Sequence, residues 1–196
     1  MEININCDLG ESSKLHSTEN DPLLLEIVNS ANIACGYHAG DKPTMEKTIV
    51  VSKEISATPQ DVWNLITDLP SMGRWSPEND GGKWLSKDGA PKIGARFIGN
   101  NSWAGNKWKA PVKITELNEP QRFAFKMRFP FIGGSDWSFD IEPTPDGCKV
   151  TQTWIDRRTK ALVFIGGKVS GVAERAPHTR MSMETTLDKL AEEVSS

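Results

Sequence analysis

Five consecutive stretches between Arg96 and Asp156 alternate apolar and polar residues with period two. In Arg96 to Asn101, Phe97 and Gly99 share a face. Trp108, Ala110, Val112 and Ile114 alternate with Lys109 and Lys113, and Phe123, Phe125, Met127 and Phe129 with Lys126 and Arg128. Trp137, Phe139 and Ile141 interleave with Asp136, Ser138 and Asp140. Beyond a Pro145-Asp146-Gly147 turn signal, Val150, Gln152, Trp154 and Asp156 continue the pattern. Successive side chains of a strand point to opposite faces, so each stretch reads as a strand with one face to cover. Strands of this kind joined by short turns make an antiparallel sheet with a single buried side.

The cover must come from helices. Thr48 to Ser56, rich in β-branched residues, predicts one more strand ahead of the first helix. Thr58 then stands as N-cap, Pro59 at the first helical position and Asp61 in the first turn. Val62, Leu65, Ile66 and Leu69 follow at helical spacing, and Pro70 is expected to end the helix. Near the C-terminus Met183, Leu187, Leu190 and Val194 recur at i, i+4, i+7 and i+11, a single apolar stripe on an otherwise polar segment. Gly133-Gly134 and Gly166-Gly167 read as turns, and no Gly-rich phosphate loop is present. Strand, helix, many strands and a long helix give an α+β fold, a curved antiparallel sheet wrapped around the C-terminal helix.

Composition narrows the function classes. A hydrophobic content of 37% and a charged content of 25% are those of a soluble folded chain and not of a disordered one. Apolar runs such as Leu23-Leu24-Leu25 are too short for a membrane span. No basic stretch followed by an apolar one opens the chain as a secretory signal would. Cys7, Cys35 and Cys148 lack metal-ligand spacing, so reduced thiols in the cytoplasm are expected, with no metal and no cofactor. Residues 1–44 carry two Lys against seven Asp and Glu. Basic residues gather on no one segment, which argues against a nucleic-acid partner. All seven Trp follow residue 60 while the single Tyr, Tyr37, precedes it, a shift that points to two origins for one chain.

In the first part, Glu2 to Cys7 and Ala31 to Cys35 read as short strands around a helix from Pro22 to Ser30. One such incomplete βαβ-like piece cannot bury its own faces. The runs Ile5-Asn6-Cys7-Asp8-Leu9-Gly10-Glu11-Ser12 and Ser30-Ala31-Asn32-Ile33-Ala34-Cys35-Gly36-Tyr37-His38-Ala39-Gly40-Asp41 closely resemble the opening of the LamB/YcsF family, one of the component chains of bacterial 5-oxoprolinase. That resemblance implies a (β/α)-barrel acting on a cyclic amide with ATP and partner subunits. Asp8, Glu11, His38 and Asp41 would suit metal or acid–base work there. It covers roughly the first fifth of the family's length, and a barrel takes about 200 residues or more. Residues 1–44 are therefore expected to be a partial LamB/YcsF-like segment fused ahead of another domain, with the joint near Met45.

From there on, Ser56-Ala57-Thr58-Pro59-Gln60-Asp61-Val62-Trp63, the turn Arg74-Trp75-Ser76-Pro77-Glu78, the run from Gly94 to Asn101 and Val150-Thr151-Gln152-Thr153-Trp154 resemble, in their order and spacing, the polyketide cyclase/dehydrase branch of the SRPBCC (START-like) superfamily. The resemblance spans residues 45–196 and implies a helix-grip fold with a cavity between the sheet and the last helix. Its expected lining is the set of inward strand positions: Phe97, Asn101, Trp108, Phe125, Phe129, Trp137, Phe139, Gln152, Trp154 and Asp156. A mostly aromatic wall with few polar groups is how small-molecule sites are built, although plain core packing competes for any single aromatic.

Trp75 and Glu78 are expected at the cavity mouth, where an apolar setting would raise the carboxyl's pKa and fit it for proton transfer. An ordinary ion pair with Arg74 or Arg96 is the alternative. His178, at the start of the last helix, either faces the cavity or is satisfied by solvent and local backbone. Arg157 and Arg158, with Asp156, either hold an acidic headgroup or form the charged end of a strand. Cys148 has no base beside it and is expected to be inert.

The leading expectation is binding of a small hydrophobic ligand, lipid-like or polyketide-like. The second is a cyclase or dehydratase, a lyase or isomerase using Glu78 or Asp156 as acid or base while Asn101 and Gln152 position the substrate; it rests on fold analogy alone. The third is 5-oxoprolinase-related activity through the N-terminal segment. None of these readings fixes an oligomeric state.

Overall fold

The computed structural model describes residues 6–9, 30–33, 47–86 and 88–194. Its contacts divide the chain into two compact units, Met1–Glu46 and Lys47–Ser196. In the first, β1 (Asn6–Leu9) and β2 (Ser30–Ile33) pair in parallel, from Asn6 opposite Ser30 to Leu9 opposite Ile33. Parallel strands need a crossover between them. The helix expected over residues 22–30 lies outside the described residues except for Ser30, which opens β2 instead. Glu11, His38 and Asp41 lie outside them as well.

Seven strands of the second unit form one antiparallel sheet. They are β3 (Thr48–Ile55), β4 (Asn79–Trp84), β5 (Arg96–Trp103), β6 (Asn106–Asn118), β7 (Arg122–Phe129), β8 (Gly133–Thr144) and β9 (Gly147–Asp156). Their order across the sheet is β3-β9-β8-β7-β6-β5-β4. Consecutive strands β4 to β9 form a meander, and β3 closes on its far side, from Thr48 opposite Ile155 to Ile55 opposite Cys148. The β8–β9 hairpin turns on Pro145-Asp146, with Thr144 opposite Gly147. Gly147 has a φ of 149°, and a Cβ there would run into the Ile55 carbonyl oxygen, so the position demands glycine.

Helix α1 (Pro59–Thr67) begins as expected: the Thr58 hydroxyl accepts from the Asp61 N–H at 3.2 Å. It ends at Thr67, ahead of Pro70. Proline lacks an N–H but fits a first helical turn, so Pro70 sits near the start of a 3₁₀ turn, Leu69–Arg74. The Gly166-Gly167 pair does not turn. Both lie within α2 (Lys160–Ser170), capped by Thr159 and released only at Gly171, whose φ is 71°. A glycine inside a helix costs about 1 kcal/mol relative to alanine, and burial of Leu162 offsets part of that. Gly133 and Gly134, also read as a turn, open β8.

Helix α3 (Arg175–Val194) starts a full two turns before the apolar stripe. Met183, Leu187 and Leu190 are buried, and beside them runs a second buried row of small polar residues, Thr179, Ser182 and Thr186. The sheet's inward residues Ile49, Phe123, Phe139 and Val150 pack with α1 and α3 in one core. Trp63 of α1 meets Phe123 edge-on, centroids 6.2 Å apart. The unit is a helix-grip fold. Among the described residues no helix is long and apolar enough to cross a membrane.

Candidate functional site: a cavity under two helices

A cavity of about 400 Å³ opens between the sheet and the helices. Trp108, Ala110 and Val112 of β6, Phe125, Met127 and Phe129 of β7, Ser135 and Trp137 of β8, and Gln152 and Trp154 of β9 form its wall. Its roof is Ser182, Met183 and Thr186 of α3 with Leu162, Ile165, Gly166 and Val169 of α2. The short side chains Ser182 and Thr186 leave this volume open where α3 crosses the sheet. The aromatic rings form a ladder: Phe125 stacks on Trp137 (6.3 Å, 17° between planes), and Trp137 tilts against Trp154 (6.3 Å, 56°). Strand register builds that ladder, since Phe125 stands opposite Trp137 and Trp137 opposite Trp154.

The polar members are few. Glu78 is 8% exposed and takes two hydrogen bonds from the Arg175 guanidinium, at 2.6 and 2.7 Å. His178 Nε2 lies 3.6 Å from Glu78 Oε1, too long for a full hydrogen bond. Burial pushes the Glu78 carboxyl up, but the His178 imidazole and the doubly bonded Arg175 outweigh it and hold the pKa below the ordinary glutamate value. Trp137 Nε1 donates to Ser135 Oγ at 2.9 Å, and Asn79 Nδ2 donates to Asn101 Oδ1 at 3.1 Å. Arg158 reaches the lining from beyond β9. It donates twice to Asp156, at 2.9 and 2.7 Å, with its guanidinium carbon 5.8 Å from the centre of the Trp154 ring. Gln152 is 2% exposed, and its Oε1 has no hydrogen-bond partner among protein groups.

Of the residues expected around the cavity, Glu78, Asn101, Trp108, Phe125, Phe129, Trp137, Gln152 and Trp154 line it. Trp75, Phe97 and Phe139 do not: they are 1–2% exposed and belong to the packed core. Trp75 follows the 3₁₀ turn directly and is carried inward by it, away from any mouth. His178 faces neither cavity nor solvent; its ring packs edge-on against Trp103 at 4.5 Å, behind Glu78. Asp156 lies outside the lining and is tied to Arg158. The expected rise in the Glu78 pKa is reversed, and its partner is neither Arg74 nor Arg96, since Arg74 pairs with Glu193.

Sequence reading missed Arg175 and the whole α2 contribution. Thr159 followed by the apolar run Ala161 to Ile165 is a usable signal for α2, masked by the glycine pair. Nothing local links Glu78 to Arg175, 97 residues away. Cys148 is fully buried, and burial pushes its thiol up, which leaves it a poor nucleophile. Among the described residues no cluster of His, Cys, Asp and Glu is placed to hold a metal.

Comparison with known proteins follows the same division. Residues 46–195 match the family model described as polyketide cyclase / dehydrase and lipid transport, and residues 3–58 match that of the LamB/YcsF family. Similar solved structures include a protein from Chromobacterium violaceum, with 19% identity and a TM-score of 0.58 over 76% of this chain and 99% of that one. A START superfamily protein from Mycobacterium smegmatis has 15% identity and a TM-score of 0.55 over 76% and 97%. The di-domain ARO/CYC StfQ from the steffimycin biosynthetic pathway has 10% identity and a TM-score of 0.59 over 76% and 50%. At these identities the likeness is one of fold. A 5-oxoprolinase subunit from Nitrobacter hamburgensis is 51% identical over 53 residues, 27% of this chain and 21% of that protein. Its counterpart from Bacillus subtilis is 51% identical over 54 residues, 28% and 21%. The chain thus spans about a fifth of the length of these relatives.

Proposed function

The chain belongs to the polyketide cyclase / dehydrase and lipid transport family, and from that premise we propose that residues 45–196 bind a small hydrophobic molecule, lipid-like or polyketide-like, between the sheet and α3. The observation that carries this reading is the cavity of about 400 Å³ walled by the Phe125–Trp137–Trp154 ladder. Flat aromatic walls with a few fixed polar groups bury most of a small ligand's surface and orient it.

A cyclase or dehydratase would ask Glu78 or Asp156 to move a proton. A general acid near neutral pH needs a raised pKa, and Glu78 is held ionised by its neighbours. Asp156 is doubly bonded to Arg158 outside the lining. Both features favour holding a molecule over transforming it. Activity related to 5-oxoprolinase has less support, because the chain spans only about a fifth of the length of those relatives.

Organic extraction of purified protein followed by mass spectrometry, together with titration by the neutral probe N-phenyl-1-naphthylamine, tests the reading. A copurifying apolar molecule, displaced by the probe with one-to-one saturation, is the expected result. Absence of saturable probe binding would overturn the proposal, and chemical conversion of the recovered molecule on incubation would favour the enzyme instead.

A further inference from the structure

We infer that the natural ligand is an uncharged alcohol or phenol whose hydroxyl is held by Gln152, and not a carboxylic acid. This rests on the binding reading above and specifies the chemistry of that site. Gln152 stands midway along β9, opposite Val51 of β3 and Phe139 of β8. Its neighbours on the inward face of β9 are Val150, which has no donor, and Trp154, whose indole N–H makes no hydrogen bond to it. Thr186 on the roof spends its hydroxyl on the Ser182 carbonyl at 2.8 Å. The Ser135 hydroxyl accepts from Trp137 and donates nothing to Gln152. Gln152 Oε1 is thereby left buried without a protein donor, a state that costs a polar group its solvation unless something else donates.

A donor entering through the cavity would satisfy it, and a ligand hydroxyl suits it. An O–H donates to Oε1 and can also accept from the amide nitrogen, whereas a carboxylate only accepts. The charged groups of the lining point the same way. Arg175 is matched by Glu78 and Arg158 by Asp156, each through two hydrogen bonds. A ligand carboxylate claiming either guanidinium would strand a carboxylate of the protein. Lys109, the remaining cation of the lining, is solvent-exposed and so too well hydrated to hold an acid strongly.

Equilibrium dialysis of the full chain at neutral pH against naphthalene, 2-naphthol and 2-naphthoate separates the possibilities. The expected order is naphthol tightest, naphthalene about tenfold weaker (about 1.4 kcal/mol) and naphthoate weakest. Gln152→Leu, similar in size and apolar, is expected to abolish the preference, so that naphthol and naphthalene bind alike. Should that variant not fold, 2-methoxynaphthalene, which lacks the O–H, is expected to bind the wild-type protein like naphthalene. Equal binding of naphthol and naphthalene, or methoxynaphthalene as tight as naphthol, would overturn the hydroxyl anchor and leave hydrophobic binding standing. Naphthoate as the tightest probe would overturn the exclusion of acids. Failure of all the probes to bind would overturn this inference together with the reading beneath it.

Discussion

Phe123 and Phe125 stand two residues apart on β7, on the same face of the sheet, and have different surroundings. Phe123 is wholly buried against Trp63 of α1, whereas Phe125 lines the cavity and stacks on Trp137. Their strand neighbours are aromatic in both cases, Phe139 and Trp137. The difference comes from above the sheet. Over the filled end lie α1 and the Leu187–Leu190 part of α3; over the hollow end α3 presents Ser182 and Thr186, and the sheet is bridged by α2. The sheet supplies an apolar surface throughout, and the helices decide where it is left open.

The largest test of that distinction is a pair of truncations. Phe139→Ala should cost about 3–5 kcal/mol of stability in urea unfolding, as large buried aromatics do. Trp137→Ala should cost clearly less, because its ring already borders open space, yet it should lower probe binding more than tenfold. Equal stability losses would mean the two ends are packed alike.

Glu78→Gln comes next, with a loss of about 1.5–3 kcal/mol from a charged hydrogen-bonded pair. Its pH dependence has a definite sign. The Glu78 pKa is lowered in the folded state, so the pair's contribution is complete above the ordinary glutamate value. It disappears as pH falls through the lowered one. The gap between wild type and Glu78→Gln should narrow as pH falls below about 4. A gap that stays undiminished at the lowest pH would contradict the ion pair.

Ser182→Leu sharpens the comparison from the other side by making the hollow end resemble the filled one. Probe affinity should fall at least about tenfold, a change of about 1.4 kcal/mol. Stability should stay within about 1.5 kcal/mol, since the added methyls enter existing space. The smallest effect expected is for Thr58→Ala, which removes the cap of α1 at the filled end. It should cost about 1 kcal/mol and leave probe binding unchanged.

Much of this architecture was legible because strands and caps announce themselves locally. The alternation from Phe97 to Trp154 gave the inward face residue by residue, and Thr58-Pro59 gave the start of α1 within its first turn. The site was less legible for reasons equally physical. Alternation marks an inward side chain without saying whether a helix fills the space above it, so Phe97 and Phe139 could not be told from Phe125 and Trp137. A position just after a helix suggests a mouth for Trp75, but the 3₁₀ turn redirects the chain. Arg175 carries no pattern of its own; its role exists only once α3 lies beside the turn that holds Glu78.

The pairing of β3 with β9 also bears on how the chain is made. Synthesis delivers β3 first, and its partner emerges about ninety residues later, roughly 5–20 s at ordinary ribosomal rates. The meander from β4 to β9 closes only short loops, while joining β3 to β9 encloses nearly the whole unit, an entropy cost that must be met before its contacts form. Through that interval Ile49, Val51 and Ile55, buried in the finished fold, have no final resting place. This unit is therefore most exposed to aggregation and to chaperone capture while its first strand waits for its last.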